Sequence, residues 1–292
     1  MKNQTQIGDA TAQRVRLAYP DAFASNWSRR ALPLLSALAA IVLLIYGLWM
    51  NGIAWSTFIG GVSKLGTLPA LMFPPSLGDY PLWSAERGVH VFIKALAETI
   101  AMAFLGTLIA AVMALPIALL AARNIMPFGI VRFFARRSSD AIRAIDALIW
   151  AIIFIKVVGL GPFAGILAIA LGDFGTLIKL FSETLEGTDR KPAEGVEASG
   201  GSSLHKVRYG YLPTAAPIIL SQILYYFESN TRSSTIIGIV GAGGIGLLLQ
   251  NRMSEQEWGE VCSIILMILI TVAAIDWLSG RARRSIIGER PR

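Results

Sequence analysis

The sequence predicts an all-α polytopic membrane protein of about six spanning helices, with a short polar helix held at one membrane face. Three observations predict it. The 292 residues are 54% hydrophobic and 15% charged, with a mean hydropathy of +0.58; an average soluble domain is roughly one quarter charged. Apolar runs of about 20 residues, the length that crosses a bilayer as a helix, recur along the chain. The basic residues gather on alternate connections between these runs, as they do where arginine and lysine are retained on the cytoplasmic side.

The first thirty residues form a polar, basic tail. The apolar run 31–49 is longer than a signal-peptide core and has no small-residue cleavage site behind it, so a retained first helix is expected. Within 55–73, glycines, Lys64 and Pro69 break the pattern, which predicts an interfacial segment rather than a seventh span. The second span is expected over about 98–122, kinked at Pro116. A third over about 144–158 runs into Gly159-Leu160-Gly161-Pro162, a turn signal. The fourth covers about 163–181. The fifth starts near Pro213 and continues past Ile239, carrying several polar residues, and the last covers about 261–278. Trp49, Trp55, Trp83, Trp150, Trp258 and Trp277 fall mostly near span ends, where interfacial anchors sit. This divides the chain into a tail (1–30), a first helix with an outer segment (31–90), a membrane domain that includes the loop 183–212 (91–280), and a basic tail (281–292).

Charge sets the orientation. With six spans, the two tails and the loops 122–143 and 183–212 share one side and hold 19 of the 26 basic residues. The opposite side holds Lys64, Arg87, Lys94 and Arg252. Both termini are therefore expected in the cytoplasm. The net charge of +7 has the same origin and does not point to nucleic acid. Cys262 is the only cysteine and lies in an apolar run, so no internal disulfide forms. His90 and His205 are far apart without cysteine companions, and no metal site is expected.

The polar segment 194–213, EGVEASGGSSLHKVRYGYLP, sits between two apolar runs. Glu194, Gly200, Leu212 and Pro213 stand in the register of the cytoplasmic signature of ATP-binding-cassette importer permeases: Glu-Ala-Ala, three residues, Gly, nine residues, Ile, any residue, Leu-Pro. Gly195 and Val196 replace the two alanines and Gly210 the isoleucine. Small residues let such a helix lie in a partner's groove, and Gly200 permits the bend between its halves. The alternative for the segment alone is an ordinary hydrophilic loop closed by a proline.

Downstream, 226–246 reads YFESNTRSSTIIGIVGAGGIG. A Phe-Glu-Ser-Asn-x-Arg-Ser run before a Val-Gly-Ala-Gly-Gly-Ile-Gly loop resembles the phosphonate-type permease subunits. Arg143-Ala144-Ile145, 159–165 and Phe73-Pro74-Pro75 extend the resemblance over roughly 73 to the C-terminus. Gly241, Gly243 and Gly246 also fit the dinucleotide pattern GxGxxG, but no βαβ unit surrounds them. With Gly244 they are expected to pack helices tightly or to form a re-entrant turn. Glu228 and Arg232 are four apart and can simply pair along one helix face. Charges inside a span also face cavities or partners, so Arg232, with Ser229, Asn230 and Ser233, is a candidate lining for an anion path in which Glu228 tempers the charge of Arg232. The two readings are compatible. Asp146 and Glu98, near span starts, can pair with Arg143 or line the cavity.

The resemblance implies the fold of a type I importer permease and a chain that moves phosphonate, phosphite, hypophosphite or phosphate across a bacterial inner membrane. It implies a second permease copy or homologue, a periplasmic binding protein, surrounding lipids, and two cytoplasmic ATPases gripping Glu194, Gly195, Gly200, Leu212 and Pro213. ATP and Mg would belong to those ATPases, since this chain has no GxxxxGK[ST] loop and no cofactor of its own. The alternatives are a membrane-embedded enzyme, for which Glu228 and Arg232 supply too few groups, and a secondary transporter, for which inverted repeats are not evident.

Overall fold

The structure, a computed structural model, describes residues 27–52, 59–62, 66–76 and 88–287. Trp55, Trp83 and most of the N-terminal tail lie outside the described residues. The chain forms two compact units, Met1–Leu68 and Pro69–Arg292. In the first, α1 (Trp27–Met50) is long and apolar enough to cross a membrane. The short helix α2 (Thr67–Met72) lies at the boundary between the units, in the stretch where an interfacial segment was expected.

In the second unit, α3 (Val89–Ala121) and α6 (Pro162–Gly187) form the central pair. α3 starts nine residues earlier than the apolar run, because the turns carrying His90, Lys94 and Glu98 remain helical, and it continues through Pro116. Small residues set how closely the two helices approach. A methyl group on Gly106 would come within 2.7 Å of Ile169. Ala110, Ala114, Ala118 and Ala121 of α3 pack with Leu177, Ile178, Phe181 and Leu185 of α6. Lipid offers no hydrophobic drive between helices, so this close packing supplies much of the adhesion.

The third expected span forms a helix too short to cross alone. Its apolar part is α5 (Ala147–Val158), 12 residues long and therefore about 18 Å, short of the ~30 Å hydrocarbon core. The expected loop before it is instead a helix, α4 (Gly129–Arg143), with Arg132, Arg136 and Arg143 along one side and Ile130 and Phe134 on the opposite one. Both lie antiparallel to α6. Arg136 of α4 pairs with Glu186, Ser139 donates to the Gly175 carbonyl at 2.5 Å, and Ala147 lies against Gly172. The break at 144–146 follows from Asp146, which caps α5 by accepting from the Leu148 N–H at 2.8 Å. Asp146 thus does not pair with Arg143, which binds Asp140 at 3.2 Å instead.

After α6 come the short helix α7 (Lys191–Ala198), the turn Ser203–His205 and a π-helical stretch, Lys206–Tyr211. This stretch runs without interruption into α8 (Leu212–Ile237). A second π-helical stretch, Gly238–Ala242, ends α8, and α9 (Gly244–Ser254) leaves at a bend of 58°. α10 (Trp258–Ile287) closes the bundle against α8. Four described helices are long and apolar enough to cross a membrane, and the bent pair of α8 and α9 reaches the same length and hydropathy only when its two arms are taken together.

Candidate functional site

α7 and the π-helical stretch form a hairpin. Gly200 turns it in the left-handed region at φ +84°, a conformation glycine adopts without cost. Glu197 and Lys206 bridge the arms at 2.8 Å. The arms meet where Gly210 lies on Ala193: a Cβ at 210 would come 2.6 Å from the Ala193 Cα. Gly210 is therefore required by contact, in the position where the family signature has isoleucine. The hairpin's outer surface shows Glu194, which has no ion pair among the described residues, together with Leu204 at 80% exposure and Tyr209 at 57%. Gly195 faces open space. Leu212 and Pro213 begin α8, so any force on the hairpin passes directly into that helix.

The glycine run forms a tight reversal. Gly241, Gly243 and Gly244 have φ of +112°, +86° and +67°, and Gly246 is buried against Gly238 and the Thr235 carbonyl. The Gly161 N–H donates to the Gly241 carbonyl at 3.3 Å, which seats the reversal on the turn between α5 and α6. From α3, the Thr99 hydroxyl accepts the Ile245 N–H at 2.8 Å, satisfying one of the free donors at the start of α9. Beside the reversal is an open cleft of about 320 Å³ in which Glu98 is the one charged lining residue.

The polar run of α8 divides between two surroundings. Asn230 is buried between α3 and α6, where its Nδ2 donates to Thr107 Oγ1 at 2.8 Å and to Asp173. It does not line an open path in this conformation. Its buried position ties three helices together. Ser233 donates to the Ser229 carbonyl at 3.4 Å, and both are half-buried.

Glu228 and Arg232 face α10. Their own contact is long, at 3.7 Å. Arg232 Nη1 lies 3.2 Å from Asp276, and Arg283 Nη2 donates to Glu228 at 2.8 Å. The group holds two cations and two anions in alternation. Arg232 keeps a half-exposed side chain, while that of Glu228 is largely covered. Asp173, Asp276 and Arg283 were missed as site residues; a lone acid inside an apolar run signals Asp173 and Asp276, whereas Arg283 lies in the basic tail beyond the last run.

The family model for binding-protein-dependent transport system inner membrane components matches residues 114–286. A putative phosphite transport system permease protein of Stutzerimonas stutzeri is 33% identical over 89% of this chain and 89% of its own length. A second phosphite transport system permease protein from that organism is 34% identical over 90% of this chain and 91% of its own. Among solved structures, the inward-facing MetNI methionine ABC transporter superposes with a TM-score of 0.60 at 20% identity, over 70% of this chain and 99% of the transporter chain. That likeness shows the type I importer permease fold.

Proposed function

The chain belongs to the family of binding-protein-dependent transport system inner membrane components, and from that premise we propose that it is the membrane subunit of an ATP-driven importer of phosphite, phosphonate or a closely related phosphorus oxyanion. The observation that carries the coupling half of this reading is the hairpin 191–211. It is pinned by Gly210, exposes Glu194, Leu204 and Tyr209, and continues without a break into α8. Two cytoplasmic ATPases grip its outer surface, with Glu194, Gly195, Gly200, Leu212 and Pro213 as the coupling set. A second permease copy or a homologue completes the path, and a periplasmic binding protein delivers the anion. ATP and Mg reside in the ATPases. The protein is then an inner-membrane subunit with cytoplasmic termini, and 91–280 is its transporter domain.

The substrate half rests on the relatives' names and on Arg232. A phosphonate anion needs a positive charge that does not trap it. Arg232 offers one guanidinium shared with Glu228 and Asp276, so an arriving oxyanion exchanges for carboxylates that are already there. Ser229 and Ser233 add hydroxyl groups on the same helix, and the reversal at Gly241, Gly243, Gly244 and Gly246 acts as the gate at its outer end. Asn230 serves the path indirectly, by fixing α8 on α3 and α6.

Arg232→Lys tests this assignment. It keeps the charge but loses the planar fork that meets two oxygens at once. Uptake of labelled phosphite is expected to fall at least about tenfold, the factor that ~1.4 kcal/mol represents, with the thermal stability of the purified complex unchanged. A loss of stability that accounts for the lost uptake would assign Arg232 to the ion-pair cluster alone.

A further inference from the structure

An arginine cleft lies outside the transport and coupling groups. The connection after α3 and the first turns of α4 enclose an open cleft of about 330 Å³ lined by Arg123, Gly129, Arg132, Phe133 and Arg136. Arg136 is neutralised by Glu186. Arg123 is exposed and Arg132 half-buried, and neither has an ion pair among the described residues; Arg132 reaches only the Met126 carbonyl, at 3.4 Å. The cleft therefore carries about two uncompensated positive charges. The neighbouring cavity of about 260 Å³ contrasts with it, because there Arg143 pairs with Asp140 and Lys179 with Glu183.

Two observations fix where the cleft sits. Arg136 donates to the Ala121 carbonyl at 3.0 Å and pairs with Glu186. These are the ends of α3 and α6, both long enough to cross the membrane, so the cleft lies at the level of a bilayer surface. The opposite face of α4 shows Ile130 and Phe134 at 75% and 64% exposure, with Arg137 also on this side, its guanidinium 5.6 Å from the Phe133 ring. A helix with Arg132, Arg136 and Arg143 on one side and exposed Ile130 and Phe134 on the other lies in the interface, its apolar side among acyl chains and the long stem of Arg137 reaching up to the headgroups.

We infer that this cleft binds the phosphate headgroup of an anionic phospholipid, with Arg123 and Arg132 on the phosphate and the aromatic face of α4 against the chains. A soluble phosphate would satisfy the arginines and leave Ile130 and Phe134 unmatched. Basic clefts beside spans on the cytoplasmic side suit anionic headgroups. The inference rests on the membrane reading of α3 and α6, and not on the nature of the transported anion.

The purified full complex in a neutral detergent is titrated with short-chain phosphatidylglycerol while its unfolding temperature is followed. Phosphatidylcholine and inorganic phosphate are titrated in parallel. The intact complex is expected to respond to phosphatidylglycerol and not to phosphatidylcholine, and any response to inorganic phosphate is expected to be the same in the cleft variants, since the transport path lies elsewhere. In the Arg123→Gln/Arg132→Gln double variant the apparent affinity falls about 30-fold, at the usual contribution of each basic residue near an anionic surface, with the lipid-free unfolding temperature unchanged. Arg123→Lys/Arg132→Lys retains the response, because two point charges remain. An unchanged affinity in the glutamine variant overturns the inference, and so does an equal response to phosphatidylcholine. A response to inorganic phosphate as large as to the lipid, and lost in the glutamine variant, would make the cleft a soluble-oxyanion site and overturn it equally.

Discussion

Replacing Gly210 with valine is expected to abolish coupled uptake while leaving the membrane core folded. No backbone strain is involved, since Gly210 does not have a positive φ. The cause is space: even a Cβ would stand 2.6 Å from the Ala193 Cα and 2.9 Å from its Cβ and N. Backbone cannot yield as a flexible side-chain tip does, so the two arms of the hairpin must separate. Overpacking of this kind costs about 1–3 kcal/mol, here concentrated where the hairpin joins the edge of the bundle core through Ala193 and Tyr211. Glu194, on the same arm as Ala193, loses its position. Uptake should fall at least about tenfold and ATPase subunits should co-purify poorly, while the lone chain keeps its unfolding temperature within a few degrees. Gly195→Ala is the control. Nothing in this chain lies within 4 Å of a Cβ there, and alanine is the residue the importer signature carries at this coupling position, so uptake should persist. Normal uptake by Gly210→Val would remove the hairpin from the coupling route.

The second large effect is expected at Asn230. A neutral hydrogen bond between membrane helices is worth about 0.6 kcal/mol on average, which is the scale for the bond to Thr107. The bond to Asp173 matters more, because its loss leaves a carboxyl group inside the bundle without its partner, and hydrogen bonds to charged groups contribute about 1.5–3 kcal/mol. Asn230→Ala should therefore destabilise the chain by about 2–3 kcal/mol. The partner substitution separates this from simple loss of packing. If Asp173 is what Asn230 satisfies, Asn230→Ala/Asp173→Ala costs less than the two single changes added together. Strict additivity in unfolding measurements would show that the two side chains do not depend on each other.

Much of this architecture is legible in the sequence, and the boundaries of that legibility have physical causes. Apolar length finds α1, α3, α6 and α10 because a bilayer demands about 20 residues of each. The same criterion hides the structure of the third crossing. α4 carries arginines at every turn, so it reads as a loop, and only its packing along α6 shows that α4 and α5 lie end to end beside that helix. Asp146 looks like a partner for Arg143, yet a helix start needs an acceptor for its free N–H groups, and the carboxylate goes there.

The candidate site divides in the same way. Gly200 is readable as a bend because a left-handed turn favours glycine in any context. Gly210 is not, because its reason is a neighbour, Ala193, that only the folded hairpin brings near. Glu228 and Arg232 are visible as an i, i+4 pair. Their shorter contacts are to Arg283 and Asp276, respectively, which sit about 50 residues away in sequence and become partners only through the antiparallel packing of α8 and α10.

ATP-driven uptake by the reconstituted complex tests the central claim most directly. The permease, its ATPases and the binding protein are placed in liposomes, and labelled phosphite is supplied on the binding-protein side. Uptake is expected only with ATP and magnesium on the ATPase side, is lost with ADP, and is indifferent to a proton or sodium gradient. Accumulation by the permease alone, driven by an ion gradient without ATPases, would contradict the account.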